Sequence, residues 1–518
     1  MRQSIIFILY LLCTFTARSQ SVLTPEQAGS IYYAYPAPTS VHTPAPAGYE
    51  PFYISHYGRH GSRWMTADER YTEVICVFDS LYQCSELTPL GMDVRQRLHK
   101  VWEDARGCSG SITPLGERQH REIAERMYHN FPQVFREDAF IDARSSTSLR
   151  CAMSMSYFTE RLKELNPALH VERRAYHRYM DYIAYTSPEG EKFSSEKASW
   201  RRGFREFEKK NVRTGRMMAS LFVKPDAITD PDAMMRSLYW IAADMQNVEL
   251  DLSFYDIFEY EELVGIWKTV NARMYVCNAA APLNGGLMPR CAVPLLRNIL
   301  ESADVAIKRG TPAADLRFGH DTHLIRLLAL MQIEGCSNQE TDMEKFHLAW
   351  QDYRVSPMGA NLQIIFYRDK KNDILVKFLL NECEVELPLK SKTVPYYSWK
   401  EVKTFLAEIL EWSIQLLLLL LHLSVNHLLS HSIAHQQPIG KETIQFFQGK
   451  FLVASRQPAV VGAGEARVLC QMTVYYFQTF LCIAFFSVWT CKGFTAFRLY
   501  FPAYFFLEPA VRAVIDVF

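Results

Sequence analysis

Residues 49–63 constrain this chain more than any other stretch. Tyr49-Glu50-Pro51-Phe52-Tyr53-Ile54-Ser55 is rich in aromatic and β-branched residues and reads as a buried strand. It leads into Tyr57-Gly58-Arg59-His60-Gly61-Ser62-Arg63, where a histidine stands between two arginines on a glycine turn. An arginine fork binds phosphate oxygens in a bidentate manner and keeps its charge near neutral pH. Gly58 and Gly61 are expected to bring the backbone close to an anion with no Cβ in the way. A strand that delivers such a loop at its carboxyl end belongs in an α/β sheet, where ligands bind at that end.

A second constellation lies far along the chain. Leu316-Arg317-Phe318-Gly319-His320-Asp321 reads as a short strand, and Thr322 to Met331 as a helix with one apolar face. His320 and Asp321 then sit at a strand-to-helix junction, beside helix N–H groups and the positive end of the dipole. Taken singly, Asp321 reads equally well as an N-cap. Paired with the upstream Arg-His-Gly-x-Arg, the adjacent His-Asp points to phosphate chemistry.

With both motifs in view, the chain resembles the histidine acid phosphatases, the branch of the histidine phosphatase superfamily that includes phytases. It is also similar to the multiple inositol polyphosphate phosphatases. Leu87-Thr88-Pro89-Leu90-Gly91 and Ile112-Thr113-Pro114-Leu115-Gly116-Glu117-Arg118-Gln119 both resemble the family's Thr-x-x-Gly helix start. Ser145-Ser146-Thr147-Ser148-Leu149-Arg150-Cys151, with Ser154 and Phe158, resembles the segment that carries a third phosphate-binding arginine. The resemblance covers about residues 31–409. Two positions depart from it: Met65 stands where the family heptad usually ends in proline, and His320-Asp321-Thr322 stands where the inositol polyphosphate branch has His-Ala-Glu. Reaction type is unaffected, and the choice of substrate stays open.

The resemblance implies an α/β fold with a mainly parallel sheet flanked by helices and an inserted all-α cap. It also implies an exported, metal-independent phosphomonoesterase, acting on a small phosphate ester such as an inositol polyphosphate (phytate). His60 would attack phosphorus and form a phosphohistidine, while Arg59, Arg63, Arg150 and His320 hold the oxygens. Asp321 would protonate the leaving oxygen and then activate water, which needs either a raised pKa or an acid working pH. No metal and no cofactor enter this scheme. Arg144 is a weaker candidate, expected to pair with a structural carboxylate, and His56 and His323 are expected to pack beside the motifs.

The pattern along the chain fits that architecture. Residues 67–81, 91–104, 115–129 and 149–165 read as amphipathic helices and 139–143 as a strand ending at Arg144. From 187 to 289 helical spacing dominates, in segments 196–222, 231–246 and 258–275, and this is the expected cap. The core is then 49–186 and 290–411, resuming with a helix over 295–308 and closing with a hairpin of 361–367 and 374–380. Residues 20–48, rich in proline after Ala34, read as an exposed lead-in.

The ends carry other signals. Arg2, the apolar run Ile5 to Phe15 and the small residues around Ala17 read as a signal peptide over 1–19, hence a periplasmic or extracellular protein. Residues 412–518 break with the body: there is no Asp, Glu, Lys or Arg between Trp412 and Gly440, and Val468 to Cys491 is uncharged. This tail is either a membrane segment, the single route to a membrane, or translation from outside the true reading frame. His427, His431 and His435 share a helix face there but lack accompanying carboxylates for a metal site. Cys76, Cys84, Cys108, Cys151, Cys277, Cys291, Cys336 and Cys383 would be free to form disulfides in an oxidising compartment, and none shows C-x-x-C spacing.

Lys and Arg together number 56, against 56 Asp and Glu, so the basic excess of a nucleic-acid-binding protein is missing. Two rival functions share parts of the pattern. A non-catalytic, exported phosphate-binding or membrane-tethered protein would not need an intact nucleophile and acid. A phosphoglycerate-mutase-like transferase would need neither export nor the helical insertion. Sequence alone leaves the oligomeric state open.

Overall fold

The structure is a computed structural model that describes residues 23–38 and 41–411. The segment 1–19, expected as a signal peptide, and the tail 412–518, which holds His427, His431 and His435, lie outside the described residues. Eight strands form one sheet: β1 (Glu50–Arg59), β2 (Phe140–Ser145), β3 (His170–Arg174), β4 (Ala314–Gly319), β5 (Asn361–Arg368), β6 (Ile374–Leu380), β7 (Cys383–Val385) and β8 (Tyr397–Ser398). Their order is β3-β2-β4-β1-β5-β6-β7, with β8 on β6. The four strands from β3 to β1 are mutually parallel, and the expected hairpin of β5 and β6 continues the sheet antiparallel.

Register explains how distant motifs meet. β1 and β4 pair in parallel with Arg59 opposite Gly319, so the next residue of each strand, His60 and His320, leaves the sheet at the same edge. The His60 N–H donates to the Gly319 carbonyl at 3.1 Å. On the far side of β4, Ser145 of β2 lies opposite Phe318, which brings the serine-rich turn to that edge too.

The longer helices are α1 (Glu69–Gln83), α2 (Pro89–Ala105), α3 (Pro114–Asn130), α4 (Leu149–Leu165), α5 (Arg201–Asn211), α6 (Pro231–Asp244), α7 (Tyr260–Asn278), α8 (Val293–Arg309) and α9 (Asp321–Leu330). Alternation along β1 sends Tyr53 and Tyr57 into one apolar cluster with Leu296, Leu324 and Leu328, and Ile54 into another with Ile123, Phe158 and Phe318. Helices therefore cover both faces of the sheet, as a buried parallel sheet requires.

Between β3 and β4 the described residues contain helices and no strand. Met235, Leu238 and Trp267 of this insertion share a buried cluster with Tyr71, Val74 and Leu98 of α1 and α2, while Phe204 and Tyr275 join the cluster containing Tyr53 and Tyr57. The span 196–222, expected as one helix, breaks into α5 and a short turn, Gly215–Leu221. Val212 is extended and buried at the break, and Gly265 of α7 packs against the Asn211 carbonyl, which ends the helix there. No helix among the described residues is long and apolar enough to cross a membrane.

Two expectations need correcting. The lead-in 20–48 is not exposed throughout, because Ala28, Gly29, Ser30 and Tyr32 are buried against the helical insertion. The strand before the heptad also runs on to Arg59, which places Gly58 inside β1. A Cβ on Gly58 would lie 2.7 Å from the His56 ring, so this glycine makes room for a histidine and does not approach an anion. None of the described cysteines is bonded to another.

Candidate active site

The loop over residues 59–63 is held in place by its neighbours. The Thr113 hydroxyl caps α3 by accepting from the Gly116 N–H at 3.2 Å, and the Thr113 N–H donates to the Ser62 carbonyl at 3.0 Å. A Cβ on Gly116 would come within 2.1 Å of that same carbonyl, so only glycine lets the helix start dock on the loop. Gln119 and Asn247 bind Ser62 from either side at 2.7–2.9 Å, and Ser154 accepts from the Gly61 N–H at 3.2 Å.

Six residues named by the motifs converge here. His60 and His320 approach edge to face, with ring centroids 5.7 Å apart. Arg59 Nη2 lies 3.2 Å from Asp321 Oδ2. Arg150, in the first turn of α4, points Nη2 at His320 Nδ1 from 3.4 Å. Arg63 stacks over the Tyr32 ring at 4.8 Å and donates to the Tyr32 hydroxyl and the Trp64 carbonyl. Arg59 Nε and Nη2, Arg63 Nε and Arg150 Nε are buried with no hydrogen-bond partner among the described residues. Buried donors of this kind are costly unless an anion or water meets them.

Charge follows from that crowding. Burial, then Arg59, Arg63 and Arg150, push His60 well below its ordinary pKa, so the imidazole is neutral. Its Nδ1 lies 3.0 Å from the Gly61 carbonyl, and the bond fixes the proton on Nδ1, leaving a lone pair on Nε2. Burial and Arg150 bring His320 down to about 4. Burial favours a protonated Asp321, but Arg59, His320 and the Thr322 N–H outweigh it and hold the carboxyl below the usual range. Arg59 is lowered to about 10 by burial and stays charged.

The remaining candidates fall outside this cluster. Arg144 forks onto Asp142, with Nε 3.2 Å from Oδ1, which is the structural pairing expected of it. His320 is the N-cap of α9 and Asp321 its first residue, so Asp321 itself is not the cap. His56 is buried and His323 half-buried, desolvation brings both to about 3, and neither hydrogen-bonds to His60. Sequence reasoning missed Tyr32 and Asn247, and it placed Gln119 and Ser154 in family-like segments without seeing that they hold the loop at Gly61 and Ser62. Beyond the Ser146–Arg150 turn, Arg178 is exposed beside the stacked rings of Tyr176 and Tyr179, 5.3 and 5.5 Å from their centroids.

No family model and no curated protein sequence matches the chain. Solved structures do. The multiple inositol polyphosphate phosphatase of Bifidobacterium longum, in its complex with inositol hexasulfate, aligns with a TM-score of 0.62 and 17% identity over 73% of this chain and 97% of its own. Its phosphate complex gives 0.63 and 18% over 74% and 97%. The phytase from D. castellii gives 0.57 and 15% over 77% and 88%. Identities this low speak to architecture alone, and on that architecture this chain has the phosphatase fold of the histidine acid phosphatases.

Proposed function

We propose that the protein is a phosphomonoesterase that works through a phosphohistidine. The observation that carries this reading is a neutral His60, with its Nε2 lone pair unused, beside Arg59, Arg63 and Arg150, each of which keeps a buried Nε with no hydrogen-bond partner among the described residues. The three guanidinium groups would bind the equatorial oxygens of a phosphoryl group and carry the charge that builds there in the transition state. His60 Nε2 attacks phosphorus in line, the P–O bond to the alcohol breaks, and Asp321 gives its proton to the departing oxygen. The Asp321 carboxylate then takes a proton from water, whose oxygen attacks phosphorus and breaks the P–N bond.

Asp321 is ionised in the empty site, so its proton must come with the substrate complex. A bound phosphate supplies negative charge beside the carboxylate and occupies Arg59, and both effects raise the pKa of Asp321. The positive charge in this scheme comes from the chain, so turnover is expected to need no added metal.

For substrate we propose small esters with more than one phosphate, including inositol polyphosphates. Arg178 supports this: it follows β3, and Met180, two residues on, meets Thr147 of the serine-rich turn, on the side of the sheet edge that carries Arg150. Stacking on aromatic faces leaves its N–H edge available to an anion. The apolar run near the amino terminus supports work outside the cytoplasm.

Release of phosphate from p-nitrophenyl phosphate and from phytate, measured in EDTA, tests the reading. His60→Ala is expected to abolish both. Turnover by that variant, or label trapped on another residue, would overturn the assignment.

A further inference from the structure

Arg59 is held from behind by two main-chain carbonyls. Its Nη1 donates to Ile31 and to Ser356, each at 2.7 Å, and no part of its side chain reaches solvent. These carbonyls belong to segments remote in sequence, and Asp352 contacts both, one through its carboxylate and the other through its main chain. Asp352 accepts from the Ser30 hydroxyl, the residue before Ile31. Through its own carbonyl, Asp352 also accepts from the Ser356 N–H at 2.8 Å. Its second carboxylate oxygen is bound by the Trp267 indole N–H at 3.1 Å and the Tyr353 N–H at 2.8 Å, and its N–H donates to Asn271 at 2.9 Å.

Ser30 adopts φ 60° and ψ −133°, a backbone that residues with a Cβ seldom take up. Such a conformation persists where surrounding bonds impose it, and the bond from Ser30 to Asp352 is the side-chain contact at that turn. The turn presents the next carbonyl, that of Ile31, to Arg59. The carboxylate therefore fixes the Ile31 acceptor through Ser30, while the Ser356 N–H is held by the main-chain carbonyl of Asp352 and not by its side chain.

We propose that Asp352, which touches neither His60 nor Asp321, is a positioning residue for phosphate binding: through Ser30 it fixes the Ile31 carbonyl and so sets where Arg59 presents Nε, which has no hydrogen-bond partner among the described residues, and Nη2, which pairs with Asp321. The proposal rests on the phosphatase reading in taking Arg59 as a phosphate ligand. Trp267 supplies the control, since it binds the same carboxylate but leads to neither carbonyl.

The test uses the full chain and three variants, Ser30→Ala, Asp352→Asn and Trp267→Phe. For each, the inhibition constant of inorganic phosphate, kcat and KM on p-nitrophenyl phosphate, and the melting temperature are measured. Ser30→Ala and Asp352→Asn are expected to weaken phosphate inhibition about tenfold and to lower kcat/KM alongside, the equivalent of about 1.4 kcal/mol. Trp267→Phe is expected to lower the melting temperature while leaving the phosphate constant within about twofold, the scatter expected for a contact that does not aim Arg59. If Asp352→Asn fails to fold, Ser30→Ala still decides, because it removes one hydroxyl and no packing volume. Positioning is overturned if Ser30→Ala leaves the phosphate constant unchanged, or if all three variants shift it in step with melting temperature. A wild-type protein that neither hydrolyses the ester nor binds phosphate would instead overturn the phosphatase reading, and the positioning role with it.

Discussion

Arg59 and Asp321 form an ion pair at 3.2 Å in the substrate-free site, so a proposed phosphate ligand restrains the proposed proton donor. Arg59 cannot serve Asp321 and a phosphate oxygen equally. When it turns to the substrate, Asp321 loses its strongest stabilising cation and gains a dianion as neighbour, and its proton affinity rises. Substrate binding then makes the acid.

Asp321→Asn tests this on leaving groups and on pH together. An aryl oxide departs with little proton donation, whereas a sugar or inositol alkoxide needs it. The variant is expected to lose at least about tenfold more rate on an alkyl phosphate than on p-nitrophenyl phosphate, the lower part of the range for general acid catalysis. The wild-type kcat on the alkyl ester should fall as pH rises through the pKa of Asp321 in the complex, because the donor must be protonated. That limb should vanish in the variant. Equal losses on both esters would mean that Asp321 orients groups and donates nothing.

The two Thr-Pro-Leu-Gly segments offer a matched pair. Gly116 docks α3 on the Ser62 carbonyl, and Gly91 docks α2 on the Leu221 carbonyl, with an added Cβ falling 2.1 Å from the oxygen in both places. Gly116→Ala and Gly91→Ala should each destabilise the fold by a few kcal/mol, since backbone must shift to relieve the overlap. Only Gly116→Ala should also lower kcat/KM among molecules that remain folded, because Ser62 belongs to the catalytic loop. Equal loss of activity per folded molecule would show that the docking is structural in both places.

Much of this site was legible because chemistry and register were written locally. Arg59, His60 and Arg63 share one strand end, His320 and Asp321 another, and parallel pairing of β1 with β4 brings them together. Arg144 shows the same legibility, since its carboxylate partner lies two residues away. Tyr32, Asn247 and Asp352 were not legible, because each acts through a contact with a segment remote in sequence. The carbonyls of Ile31 and Ser356 leave no side-chain signature at all. Gly58 was misread for a related reason: the residue that needs its missing Cβ is His56, and only the strand conformation brings that ring over it.

Arg178 bears on substrate choice. Its exposed guanidinium lies beside the stacked rings of Tyr176 and Tyr179 and forms no ion pair among the described residues, so it can meet a phosphate that does not react. Arg178→Gln is expected to lower kcat/KM about tenfold for phytate, the loss of one charge-assisted contact. p-Nitrophenyl phosphate, with a single phosphate, should be hydrolysed as before. A variant that handles both substrates like the wild type would remove the basis for a polyphosphorylated substrate.

Stability should fall in acid, and buried histidines set the window. Burial first, aided for some by neighbouring cations, brings His56, His120 and His323 to about 3 and His320 and His347 to about 4. In the unfolded chain they titrate near 6.5, so between about 6.5 and about 3 to 4 the unfolded state binds more protons and folding weakens as pH drops. Asp244 and Asp352 oppose this. Burial raises them to about 7 and about 6, so they favour the folded chain increasingly as pH falls toward 4. Burial raises Glu208 as well and lowers His60 with the other histidines, so three carboxyls stand against six histidines, and the melting temperature should drop from pH 6.5 to pH 4. His120 is the place to check it, because both its ring nitrogens are buried without a hydrogen-bond partner among the described residues, and Phe318 packs edge-on at 5.9 Å. His120→Phe keeps the ring and removes two unsatisfied polar atoms, a change that is neutral or stabilising when no bond is lost. It should leave the melting temperature at pH 7 unchanged or higher and make the acid decline shallower, by up to about 1.4 kcal/mol for each pH unit in the window. A lower melting temperature at pH 7 would show that His120 makes a polar contact the fold depends on, and an unchanged acid slope would show that this histidine does not titrate on unfolding.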